Sequence, residues 1–86
     1  MSEDFEGRVA IITGGSDGIG LATAALLAKH GAQVVICGRR QALLDSACER
    51  IMAQGGRVKA VQLDVSDSVA LNAMIAGTAE EFGRLD

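Results

Sequence analysis

Three short apolar runs alternate with three stretches of helical periodicity. Arg8-Val9-Ala10-Ile11-Ile12-Thr13 is nearly continuous in apolar, mostly β-branched residues, the pattern of a strand covered on both faces. Gly14 to Gly18 reads as a loop. Ile19 to His30 is apolar on almost every side, slimmed by Ala22, Ala24, Ala25 and Ala28, which predicts a buried helix close to its neighbours. Gly31 stands where a helix stops. Gln33-Val34-Val35-Ile36-Cys37 is a second buried strand, ended by Gly38. Gln41 to Gln54 then carries Leu44, Ala47, Cys48 and Ile51 on one stripe, and Gly55-Gly56 ends that helix. Arg57-Val58-Lys59-Ala60-Val61-Gln62-Leu63 alternates polar and apolar, which predicts a half-covered strand near a sheet edge. Asp67 or Ser66 caps a last helix with Leu71, Met74, Ile75, Thr78 and Phe82 on one side, ended by Gly83.

Strand–helix alternation with short connections predicts a parallel sheet with helices on both faces. Right-handed crossovers give the strand order 3-2-1, the N-terminal half of a doubly wound, three-layer α/β/α sheet of the Rossmann type. Residues 1–86 thus read as one partial domain of three βα units that stops before a fourth strand. Strand 1 is the most apolar and would be central in a complete sheet, yet one edge has no partner in this chain. An open apolar central edge is a liability, so the chain is expected to be a truncated one, marginal or self-associating by itself.

Composition narrows the function. The chain is 49% hydrophobic and 22% charged, with mean hydropathy +0.28, too apolar for disorder and too interrupted for a membrane span. The N-terminal stretch Met1-Ser2-Glu3-Asp4-Phe5-Glu6 is acidic, unlike a secretory or transit signal. A net charge of −3 gives no nucleic-acid footprint. Cys37 and Cys48 fit neither a metal spacing nor a disulfide framework, so a reducing cytoplasm is expected. The chain has no Tyr and one His, so it holds no phenol to move a proton and no multi-histidine metal site. His30 is placed at a helix end, the cysteines in packing, and Glu80 and Glu81 on a solvated face.

The chemistry lies in Thr13-Gly14-Gly15-Ser16-Asp17-Gly18-Ile19-Gly20, between a strand and a helix start. A diphosphate reaches a helix N-terminus only where the backbone lacks Cβ atoms, so that N–H groups and the helix dipole face the anion. Gly14 permits the turn out of the strand, Gly18 the approach of phosphate, and Gly20 close packing of the helix. The spacing is G-x-x-x-G-x-G, not G-x-G-x-x-G. Leu21 and Ala22 follow where a Walker loop needs Lys and Ser or Thr. Beyond Gly18, the position that carries an acid for an NAD ribose is Gly38, followed by Arg39 and Arg40. An arginine can grip a 2′-phosphate with paired N–H bonds.

Thr-Gly-x-x-x-Gly-Ile-Gly after a first strand resembles the cofactor loop of the short-chain dehydrogenase/reductase family, and the likeness runs from Phe5-Glu6-Gly7-Arg8-Val9 to Phe82-Gly83-Arg84-Leu85-Asp86. Leu63-Asp64-Val65 is its second marker. The resemblance implies that Asp64 hydrogen-bonds the adenine amino group while the Val65 backbone faces the ring. Gly14, Ser16, Asp17, Gly18, Ile19 and Gly20 would form the phosphate loop. It also implies that Arg39, with Arg40 beside it, selects NADP(H) over NAD(H). Asp17 stands where another NADP-preferring subgroup has a basic residue, which leaves Arg39 as the main determinant.

The implied activity is hydride transfer to or from a carbonyl, hydroxyl or enoyl substrate. The family's Asn-Asn-Ala-Gly and Tyr-x-x-x-Lys segments are not in this chain, so no catalytic residue is assigned. A small-molecule substrate and a homo-oligomer are expected of the full-length protein, with no nucleic-acid or membrane partner. The alternatives are a complete, non-catalytic nucleotide-binding or scaffold module, and a methyltransferase, against which Gly38-Arg39 argues because that class wants an acid after strand 2.

Overall fold

The computed structural model describes residues 7–14, 18–64 and 66–83. Strand β1 (Val9–Thr13) leads to helix α1 (Gly18–Lys29), β2 (Gln33–Gly38), α2 (Gln41–Ala53), β3 (Arg57–Gln62) and α3 (Ser68–Phe82). The three strands form one parallel sheet in the order β1-β2-β3, the predicted order read from the other edge. The register sets Thr13 beside Cys37 and Cys37 beside Val61, so all three strands end along one line.

Alternation in β2 explains its unbroken apolar run. Val34 and Ile36 face a core built from Ala24 and Ala28 of α1 and Leu44, Ala47 and Ile51 of α2. Val35 and Cys37 face the opposite side, where Met74 of α3 packs with Ile11, Val61 and Leu71 around it. Two helices therefore cover one face and one covers the other. A strand clothed on both sides must be apolar at every position, and residues 34–37 of β2 are all buried. In β3 the polar residues Arg57, Lys59 and Gln62 are exposed, as its alternation predicts. Lys59 reaches across to form an ion pair with Glu81 of α3.

Two expectations change. Helix α1 is not buried all round: only Ala24 and Ala28 are buried, while Ile19 is 87% and Leu26 56% exposed. One face of α1 meets the sheet and α2, and the rest of its surface has no cover among the described residues. Strand β1 is covered less than its composition predicts, with Val9 buried and residues 10–12 half-buried, because it lies at an edge and pairs only with β2.

The helix ends follow the glycines. Gly31 takes φ +103, and the N–H groups of Gly31 and Ala32 donate to the carbonyls of Ala28 and Leu27 at 3.1 and 3.0 Å. That reciprocal pair satisfies carbonyls left open at the end of α1. Gly55, at φ +86, and Gly56 repeat the arrangement on α2, donating to Met52 and Ile51 at 2.9 and 3.1 Å. Asp67 caps α3, its carboxylate accepting from the N–H groups of Val69 and Ala70.

Gly56 has a second role that its place after a helix does not reveal. A Cβ there would lie 2.8 Å from both Ala28 Cβ and Ile51 Cγ2, and 3.1 Å from the Ile51 carbonyl oxygen. Gly56→Ala is therefore expected to destabilise the fold by about 1–3 kcal/mol through overpacking. Urea unfolding monitored by circular dichroism checks this, and an unchanged midpoint would show that the α1–α2 contact yields freely.

Candidate functional site

The C-terminal ends of the three strands bring the predicted cofactor residues to one edge of the sheet. Gly14 follows β1, and its N–H donates to the Cys37 carbonyl at 3.1 Å. Gly38 ends β2, and its carbonyl accepts from Leu63 N–H at 2.8 Å. Arg39 follows Gly38 and Asp64 follows Leu63, and both are exposed. The parallel register thus gathers residues separated along the chain into one row.

Two glycines of the loop take left-handed backbone. Gly14 has φ +71 and Gly18 φ +58, and a Cβ on either would meet no atom of the described residues within 4 Å. Both take a backbone conformation that other residues resist. Ile19 is exposed beside Gly18 at the start of α1, and Gly20, one residue further, is half-buried. Ser16, Asp17 and Val65 lie outside the described residues.

Asp64 closes a small turn. Its Oδ1 accepts from the Ser66 N–H at 2.9 Å and from the Ser66 hydroxyl at 2.7 Å. These two bonds, with the nearby positive charge of Arg39 adding to them, hold the Asp64 carboxyl below its ordinary value of 3.8. The charged form therefore supports the folded turn above that value, and the support is lost as pH falls through the lower folded one. The cap of α3 is Asp67 rather than Ser66.

Arg40 is the extended residue that opens α2, with φ −104 and ψ 108 and no capping bond from its side chain. Its carbonyl accepts from Leu44 N–H at 3.1 Å. A contact invisible in the sequence joins this turn to β3: Gln62 Nε2 donates to the Arg39 carbonyl at 3.0 Å. Only the pairing of Gly38 with Gln62 brings these residues together.

The remaining singled-out residues stand apart from this edge or beneath it. The Cys37 thiol is buried on the α3 face of the sheet, in the cluster that holds Val35 and Met74, and burial raises its pKa. Cys48 is half-buried on α2, its pKa raised by burial and by the charge of Asp45. A groove of about 500 Å³ lies between β3 and α3, lined by Val61, Leu63, Met74 and Thr78 among others. It runs along the flank of the sheet, and the Thr78 hydroxyl in it already donates to the Met74 carbonyl at 2.8 Å. Among the described residues no helix is long and apolar enough to cross a membrane.

Comparison with known proteins agrees with this architecture. The family profile described as short chain dehydrogenase matches residues 8–86. An uncharacterized oxidoreductase of Methylorubrum extorquens is 46% identical over 83 residues, which cover 95% of this chain and 34% of that protein. The citronellol catabolism dehydrogenase of Pseudomonas aeruginosa superposes with a TM-score of 0.91 at 35% identity, covering 96% of this chain and 35% of the other. The L-sorbose reductase of Gluconobacter frateurii, solved with NADPH and L-sorbose, gives a TM-score of 0.87 at 37% identity, covering 100% of this chain and 33% of the other. The chain spans about a third of the length of these relatives. A parallel sheet with helices on both faces, glycines in left-handed conformation after β1 and a profile match over nearly its whole length lead to one conclusion: the chain belongs to the short-chain dehydrogenase family.

Proposed function

We propose that this chain is the cofactor-binding part of an NADP(H)-dependent oxidoreductase acting on a carbonyl, hydroxyl or enoyl substrate. When bound, the nicotinamide supplies or accepts the hydride. The chain's own residues hold and select the dinucleotide. Gly14 and Gly18, without side chains, admit the diphosphate to the N–H groups that open α1, with Ser16, Asp17, Ile19 and Gly20 completing the loop. Asp64, kept charged by Ser66, accepts from the adenine amino group, and the Val65 backbone faces the ring. Arg39 grips the ribose 2′-phosphate, with Arg40 beside it. The proton-handling groups of the reaction are not among these residues, because the chain contains no Tyr.

One observation carries the choice of NADP(H): β2 ends in Gly38, which has no side-chain acceptor for a ribose hydroxyl, and the next residue places a positive charge near Asp64. The NADPH held by the sorbose reductase relative supports the same reading. A charge-assisted hydrogen bond contributes roughly 1.5–3 kcal/mol, equivalent to about a ten- to hundredfold preference. The test uses adenosine 2′,5′-bisphosphate and 5′-AMP, which differ only in the 2′-phosphate and need no catalytic residue. Calorimetric titration of the purified protein should give the bisphosphate the stated advantage. Equal affinities would reduce Arg39 to a solvated surface residue.

A further inference from the structure

Gln62 ends β3 directly opposite Gly38. The last main-chain rung between the two strands is Leu63 N–H to the Gly38 carbonyl at 2.8 Å. Beyond it the chains diverge, β2 into α2 and β3 toward Asp64. The Gln62 side chain supplies one more rung: its Nε2 donates to the Arg39 carbonyl at 3.0 Å. A side-chain amide here stands in for a backbone N–H and carries the β2–β3 ladder one residue into the turn. That carbonyl belongs to the peptide joining Arg39 to Arg40. On its other side the turn is tied to α2 through the Arg40 carbonyl and Leu44 N–H. Arg40 makes no capping bond of its own, and among the described residues Gln62 is the side chain bonded to this peptide.

We propose that Gln62 is a positioning residue for cofactor choice, pinning the Arg39 peptide so that the guanidinium is held at the C-terminal end of β2, where a 2′-phosphate would meet it. This rests on the reading of Arg39 as the grip on a 2′-phosphate. Without the rung, the Arg39–Arg40 peptide is free to rotate, and the guanidinium must be ordered anew each time a 2′-phosphate is bound. A ligand lacking that phosphate draws nothing from Arg39 and is indifferent to the loss. A Gln62 that merely tidied an exposed turn would instead affect both ligands alike.

The experiment is a double-mutant cycle. Affinities for adenosine 2′,5′-bisphosphate and 5′-AMP are measured by titration calorimetry on the purified protein and on Gln62→Leu, Arg39→Ala and the double variant. Gln62→Met is a second donor-free replacement, and circular dichroism confirms the fold of each. Gln62→Leu should reduce the bisphosphate advantage about three- to tenfold, the worth of one ordinary hydrogen bond, with 5′-AMP affinity unchanged. On the Arg39→Ala background it should leave the ratio untouched. Equal losses for both ligands, or the same loss of ratio without Arg39, would overturn the role of Gln62. A ratio unaffected by Arg39→Ala alone would bring down the reading of Arg39, and the positioning role with it.

Discussion

Gly18→Val is expected to weaken dinucleotide binding by about a hundredfold or more while leaving the helix content of the chain intact. Two effects combine. Gly18 sits at φ +58, where a β-branched residue is a strong outlier, so the turn into α1 must shift. The side where a Cβ would meet no atom of the described residues within 4 Å would also hold an isopropyl group in the path of the phosphate. Loss of two hydrogen bonds to a charged ligand costs about 3–6 kcal/mol at the usual 1.5–3 each. The helix should persist because Ala24 and Ala28 anchor it well beyond the first turn. Gly18→Asn separates the two effects, since asparagine tolerates the left-handed conformation but still fills the space. If the asparagine variant binds like the parent, obstruction is not the cause and only the backbone matters. Unaltered affinity in the valine variant would remove the loop from the site altogether.

The second large effect is a reversal of cofactor choice. Gly38→Asp combined with Arg39→Ala should turn the preference for NADPH into one for NADH. The new carboxylate supplies an acceptor for the ribose 2′-hydroxyl at the end of β2, where such sites place an acid. The lost guanidinium removes the partner of the phosphate. With Arg39 gone, the new carboxylate at position 38 also repels a 2′-phosphate. The combined swing should reach about a hundredfold or more in relative affinity. Titration of both reduced cofactors into parent and double variant reads it directly. A preference that survives both changes would mean that the 2′-phosphate is recognised elsewhere.

The elements were legible because their signals are local. Residues 34–37 of β2 predicted a strand clothed on both sides, and they are buried. The glycines after α1 and α2 end those helices as expected, and the choice between Ser66 and Asp67 as the cap of α3 resolves to Asp67. What the sequence hid depends on contacts between distant segments. Gly56 reads as a helix stop, yet its lack of a side chain also admits Ala28 and Ile51. Leu26 reads as part of a buried helix but is exposed, because apolarity does not say which face of a helix finds a neighbour. In the candidate site the loop glycines were expected from their spacing, and Gly14 and Gly18 take left-handed backbone. The nearness of Arg39 to Asp64 and the reach of Gln62 to the Arg39 carbonyl follow only once β2 and β3 are in register.

That register also constrains how the chain finds its shape. Val9 pairs with Gln33, and Gln33 with Arg57, so each strand meets its partner only across a whole intervening helix, and the two spans are equal. Neither pairing is favoured over the other by chain entropy, since closure cost depends on span length. Contacts of such long sequence separation slow the search for the native state. Because β2 belongs to both closures, neither can be completed until it is extended, and it is the one segment whose ordering serves the whole sheet at once.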